Sequence, residues 1–89
     1  MLPLGLINKY MCKLSNWSLE IDSIVKDFNF NDFDSALEFV NKVKETCEER
    51  GHFPGILINQ NVVRLTLTTH EEKGLSSKDF EVAELIDKI

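Results

Sequence analysis

Between residues 33 and 47, apolar side chains recur at spacings of three and four: Phe33, Ala36, Leu37, Val40, Val43 and Cys47. On an α-helix these fall on one continuous face, while Glu38, Lys42, Lys44, Glu45 and Glu49 fall on the other. Asn31, with Asp34 three residues on, supplies side-chain acceptors for the orphan N–H groups of a first turn. Gly51 suits the left-handed position that closes a helix, and Pro54 forbids continuation. The pattern predicts one long amphipathic helix over about residues 32–50. A helix with a single apolar stripe needs a second layer to cover it.

Both flanks supply that layer as paired strands. Trp17, Leu19 and Ile21 alternate with Ser18, Glu20 and Asp22, and Asp22-Ser23 forms a turn. Ile24, Phe28 and Phe30 then continue the period of two, with Asp27 and Asn29 facing the other way. Beyond the helix, residues 56–60 and 62–69 read as strands joined by a very tight hairpin at Asn61. Val63, Leu65 and Leu67 alternate there with Arg64, Thr66 and Thr68, giving one buried and one open side. Ser76 and Asp79 form a capping box for a last helix over residues 77–89, with Phe80, Ala83 and Ile86 and, offset, Val82, Leu85 and Ile89 as its stripe. The order ββαββα implies an α+β fold: a four-stranded antiparallel sheet with both helices packed on one face. Residues 1–16 are the least informative. Pro3 and Gly5 break any early helix, leaving a helical turn or two over residues 8–14.

Eighty-nine residues make a single small domain, residues 1–89, and a core of this size makes self-association into a homodimer or homotetramer an expectation. The formal net charge of -5 and scattered lysines and arginines argue against nucleic-acid binding, which needs a basic face. No stretch reaches the roughly 20 apolar residues of a membrane helix, and residues 2–7 are too short for a signal peptide. Cys12 and Cys47 form no close-spaced pair, which fits a reducing compartment and predicts a cytoplasmic protein without disulfides.

The chemistry-bearing residues lie at element ends. Glu48 falls on the last helical turn, His52 just past it, His70 at the end of its strand, and Asp79 at the start of the last helix. Histidine is the side chain that titrates nearest neutrality, and this chain has two. Each of the four also has a plain structural explanation: a solvated helix residue, a loop residue, a strand-end residue and a cap. Two histidines eighteen apart match no close-spaced zinc pattern, so no metal and no cofactor are implied.

Their order and spacing nevertheless resemble a known family. Glu48-x-x-x-His52-Phe53-Pro54, then Val63-x-Leu65-x-Leu67-Thr68-Thr69-His70-Glu71, then Gly74-Leu75-Ser76-x-x-Asp79 are similar to the pattern of the pterin-4a-carbinolamine dehydratases. That pattern is E-x-x-x-H-H-P, an aromatic residue six after the proline, T-H-[DE] at a strand end, and G-L-[ST]-x-x-D. Trp17, the run Phe28-x-Phe30-x-Asp32-Phe33 and residues 36–41 also look like the family. The resemblance covers residues 17–89, and residues 1–16 look like a shortened N-terminal segment.

The resemblance implies dehydration of 4a-hydroxytetrahydropterin to quinonoid dihydropterin, which recycles the pterin cofactor of hydroxylases. It implies His52, His70 and Glu48 as the catalytic acid–base groups, without a metal. It implies Phe53, Pro54, Thr69 and Asp79 as substrate-binding positions. Three residues depart from the pattern. Phe53 stands where the family has a second histidine and cannot transfer a proton. Gly51 replaces a residue that is usually polar, and Gln60 replaces an aromatic wall residue. A second functional class therefore stays open: a catalytically silent protein-binding module. The family includes a dimerisation cofactor of a homeodomain transcription factor and members that assist assembly of a carbon-fixing enzyme.

Overall fold

The computed structural model describes residues 2–89. The elements run α1 (Leu4–Met11), β1 (Ser18–Leu19), β2 (Ile24–Asn29), α2 (Phe33–Arg50), β3 (Gly55–Asn59), β4 (Val62–Leu67), a 3-10 turn at His70–Glu72, and α3 (Ser77–Asp87). The strands form one antiparallel sheet in the order β1-β2-β4-β3. This is the expected α+β arrangement with one added helix at the N-terminus. Val63, Leu65 and Leu67 of β4 and Ile24 of β2 are fully buried, in one core with Ala36, Val43 and Cys47 of α2 and with Phe80, Val82, Ala83 and Ile86 of α3. Burying a Leu or Val side chain contributes roughly 1.5–3 kcal/mol. A slip of one residue would instead turn Arg64 and Thr66 into the core, so the pattern fixes the register.

The ends of α2 follow from local chemistry. Asp32, not Asn31, is the N-cap: its carboxylate accepts the backbone N–H of Ser35 at 2.8 Å, and that bond holds its pKa below the ordinary value. Gly51 closes the helix in the left-handed conformation, φ 64°, with its own N–H bonded to Glu48 O and the next N–H to Cys47 O. Such a cap satisfies carbonyls that the last turn would otherwise leave open. Ser76 and Asp79 form the expected capping box at α3.

Several sequence expectations are corrected by packing. Pro3 and Gly5 do not prevent an early helix. Pro3 occupies the N-cap of α1, where a missing N–H costs nothing, and Ile7 anchors the helix in the core. Met1, the first residue of the expected N-terminal segment, lies outside the described residues. The first strand is only Ser18–Leu19, because Glu20 N–H bonds back to Ser23 O and leaves Ile21, 95% exposed, at the turn. Phe33 and Leu37 are exposed, and Phe39 takes their place in the core, its ring 4.7 Å from Phe28 and 5.0 Å from Phe30. In the hairpin the left-handed residue is Gln60, φ 57°, while Asn61 instead exchanges hydrogen bonds with Phe30. β4 ends at Leu67, so His70 sits in the following 3-10 turn and not in the strand. The last helix stops at Asp87, and Ile89 is exposed.

Two glycines make a test of this account. A Cβ at Gly5 or at Gly51 would meet nothing within 4 Å, so only the backbone distinguishes them. Gly51→Ala places an L side chain at positive φ and costs about 1 kcal/mol, a fall in Tm of about 4–8 °C for a domain of this size. Gly5→Ala, inside α1, raises Tm by up to a similar amount. Thermal unfolding followed by circular dichroism reads both, and shifts of the same sign would contradict the assignment.

Candidate functional site

The C-terminal cap of α2 turns the chain so that His52 points inward while Phe53 stays outside. The His52 side chain is 13% exposed, and its Nε2 lies 2.6 Å from Oδ1 of Asp79. Asp79 is fully buried at the third position of α3. Its other carboxylate oxygen accepts from Thr69 Oγ1 at 2.8 Å and from the backbone N–H of Ser76 at 3.0 Å. Thr69 Oγ1 and Ser76 Oγ are 2.7 Å apart. A buried carboxylate without partners would cost several kcal/mol; this one is surrounded by donors, and no buried side-chain polar atom among the described residues lacks a partner.

The donor–acceptor order in this cluster is forced. Thr69 Oγ1 has one hydrogen and gives it to Asp79, so the hydrogen between Thr69 Oγ1 and Ser76 Oγ is the one Ser76 donates. A carboxylate only accepts, so His52 donates to it from Nε2. A buried carboxylate behind an imidazole holds the ring in one orientation and one tautomer, the arrangement that prepares a histidine for proton transfer.

In front of this cluster lies a cleft of about 230 Å³ lined by Gly51, His52, Phe53, Gly55, Thr66, Thr68, His70 and Glu71. The α2–β3 connection forms one wall, the open side of β4 the floor, and the 3-10 turn the other wall. His52 and His70 therefore meet in one cleft, joined by Phe53, whose side is 53% exposed. Thr68 Oγ1 donates to the backbone oxygen of Asp22. A larger hollow of about 380 Å³ elsewhere contains no histidine, and its Lys26 and Asp87 neutralise one another at 2.8 Å.

The other expected site residues are placed differently. Glu48 is not among the lining residues, and its carboxylate lies 3.6 Å from Lys44 on the surface of α2. Asp79 and Thr69 are buried behind His52, and Pro54 is buried beside it, so none of the three lines the cleft. Gln60 is at the far end of β3 from Gly55, roughly 16 Å away at 3.3 Å per residue, so its departure from an aromatic residue leaves this cleft untouched. Thr66, Thr68 and Glu71 are the lining side chains that the sequence reading did not select. The two threonines lie in the polar phase of β4, and Glu71 directly follows His70, so both signals were present in the pattern. Cys47 is a core residue whose thiol pKa is pushed up by burial, which keeps it unreactive. Among the described residues, no group of three or more His, Cys, Asp or Glu side chains is arranged to hold a metal, and no helix is long and apolar enough to cross a membrane.

Comparison with known proteins shows the family and the fold. The sequence profile described as pterin 4 alpha carbinolamine dehydratase matches residues 5–89. A protein of Trichormus variabilis, provisionally named pterin-4-alpha-carbinolamine dehydratase, is 46% identical over 83 residues, covering 93% of this chain and 89% of that one. The crystal structure of a transcriptional coactivator/pterin dehydratase from Brucella melitensis superimposes with a TM-score of 0.92 at 27% identity, covering 98% of this chain and 95% of that one. A pterin dehydratase-like protein described as a RuBisCO assembly factor of the alpha-carboxysome shares the fold, with a TM-score of 0.67 at 18% identity over 84% and 87% of the two chains. The chain belongs to the pterin-4-alpha-carbinolamine dehydratase family.

Proposed function

We propose that the His52–His70 cleft dehydrates a 4a-hydroxytetrahydropterin to the quinonoid dihydropterin. The observation that carries this reading is that the only two histidines of the chain line one small cleft. In the reaction the C4a–O bond breaks and a C=N bond forms to the adjacent ring nitrogen. One group protonates the departing hydroxyl, which leaves as water, and another takes the proton from that nitrogen. His52 is suited to the second task, because its Nδ1 lone pair faces away from Asp79 and the carboxylate stabilises the imidazolium that forms. His70, exposed on its turn, serves as the acid. Asp79 acts through His52 as a positioning residue.

Phe53 weakens this machinery without filling the cleft. Removing one acid–base group lowers rates by about 10²–10⁴, so the natural protein is a slow dehydratase. A second reading, a protein-binding module, draws on the same residue. Phe53 is exposed, and so are Ile56 and Leu57 on opposite faces of β3, an edge strand with one unpaired side; an unpaired edge of this kind is a ready contact surface. The same edge is where we place self-association into a homodimer or homotetramer. We place the protein in the cytoplasm, where its two free thiols stay reduced.

Turnover of 4a-hydroxytetrahydropterin separates the readings. Phe53→His is expected to raise the rate at least about tenfold, and His70→Ala to remove most of the natural activity. No turnover in either natural or Phe53→His protein, with no pterin binding by calorimetry, would leave the binding module. Asp79→Asn is expected to lower turnover by about tenfold to a hundredfold, and nitrogen NMR should show the His52 ring passing from a single Nε2–H form to mixed tautomers. A single unchanged tautomer would remove Asp79 from the mechanism. Light scattering at micromolar concentration is expected to show a dimer or tetramer, and a stable monomer would refute the association.

A further inference from the structure

We propose that the cleft takes pterins whose pyrazine ring carries an aromatic substituent, and that Leu57 and Arg64 form the shelf that receives it. The proposal rests on the reading that the cleft takes a pterin. A second hollow of about 260 Å³ lies on the same open face of the sheet, lined by Asp27, Leu57, Asn59, Val62 and Arg64. The register sets the two hollows in line. Gly55 pairs with Thr66 in the lining of the cleft, Leu57 pairs with Arg64 two residues on, and Asn59 pairs with Val62 beyond. Thr66 and Arg64 are roughly 7 Å apart at about 3.4 Å per residue, a span that a short link crosses.

Gly55 leaves the passage between them open. A Cβ there would lie 3.8 Å from Thr66 O and 3.9 Å from Thr66 Cβ, ordinary contact distances, so the fold does not demand glycine at this point. Glycine in a strand often marks a place where a ligand approaches the backbone closely. Past it, Arg64 is pinned by Asp27, its Nε 2.8 Å and its Nη2 3.1 Å from the two carboxylate oxygens. The pair fixes the plane of the guanidinium and offsets its charge, so the shelf holds little attraction for an anion as such. A planar guanidinium stacks on aromatic rings, and Leu57, 61% exposed, supplies apolar surface beside it together with Val62. A flat ring therefore suits this shelf better than a bare anionic group. Pairing of copies along the β3 edge uses the backbone and leaves the sheet face open, so association and this subsite are compatible.

The test measures binding of stable, fully oxidised pterins by calorimetry. The probes are 6-hydroxymethylpterin, 6-carboxypterin, which adds charge without a ring, and pteroic acid, which carries an aminobenzoyl group. Natural protein is expected to bind pteroic acid about tenfold more tightly than either of the others. Arg64→Ala should remove most of that preference while 6-hydroxymethylpterin binds as before, and Gly55→Val should remove it by closing the passage. Arg64→Ala, a surface change, decides alone should Gly55→Val fail to fold. No preference in natural protein, a preference shared equally by 6-carboxypterin, or one that survives either substitution overturns this proposal and leaves the dehydratase reading standing. Natural protein that binds none of the probes and shows no turnover overturns both.

Discussion

The buried carboxylate of Asp79 ties together separate parts of this molecule. One of its oxygens takes the Ser76 N–H and the Thr69 hydroxyl, and the other takes His52. Three pieces of chain are thereby joined: the cap of α3, the end of β4 and the exit of α2. A surface capping box contributes on the order of 1 kcal/mol, and nothing about such a cap demands full burial. Burial makes the same group expensive unless every acceptor is used, and His52 is the partner that completes it. Capping and placement of His52 are in this sense coupled, because the second oxygen of the capping carboxylate is satisfied only when the histidine is in place.

This coupling also explains which parts of the structure can be read from the sequence. Periodicities of two and of about 3.6 report which face a residue occupies, and they placed β2, α2, β3, β4 and α3 with small errors at the ends. They do not report what lies opposite. Phe39 is in the core because Phe28 and Phe30 are beside it, a fact of strand placement that no spacing within α2 contains. Local propensity failed where a long-range contact outweighed it: Ile7 buries itself fully, and α1 forms despite Pro3 and Gly5.

The candidate site divides along the same line. His52 and His70 could be singled out as residues at element ends, and their meeting in one cleft follows from the position of α2 over the sheet. The exchange of Glu48 for Glu71 could not be seen, because both carboxylates stand close in sequence to a histidine. What separates them is the direction of the last turn of α2, which carries Glu48 toward Lys44, and the short 3-10 turn that carries Glu71 into the cleft. Asp79 was likewise picked out by its motif, and the structure places it in the interior. Its motif position alone does not show that its carboxylate meets His52 across the fold.

The result is a site with one rigid half and one open half. Asp79, Thr69 and Ser76 are buried, so each is held by the stability of the fold as well as by chemistry. Phe53, His70 and Glu71 are exposed, where substitutions usually change stability by no more than about 0.5 kcal/mol. The fold therefore resists change at the buried cluster and tolerates it at the groups that face the cleft. Phe53 is a residue of the tolerated kind: it stands on the open side and leaves the cap, the carboxylate and the orientation of His52 intact. Residues on the open side of this cleft can change one by one, and the buried half keeps the His52 imidazole in its orientation throughout.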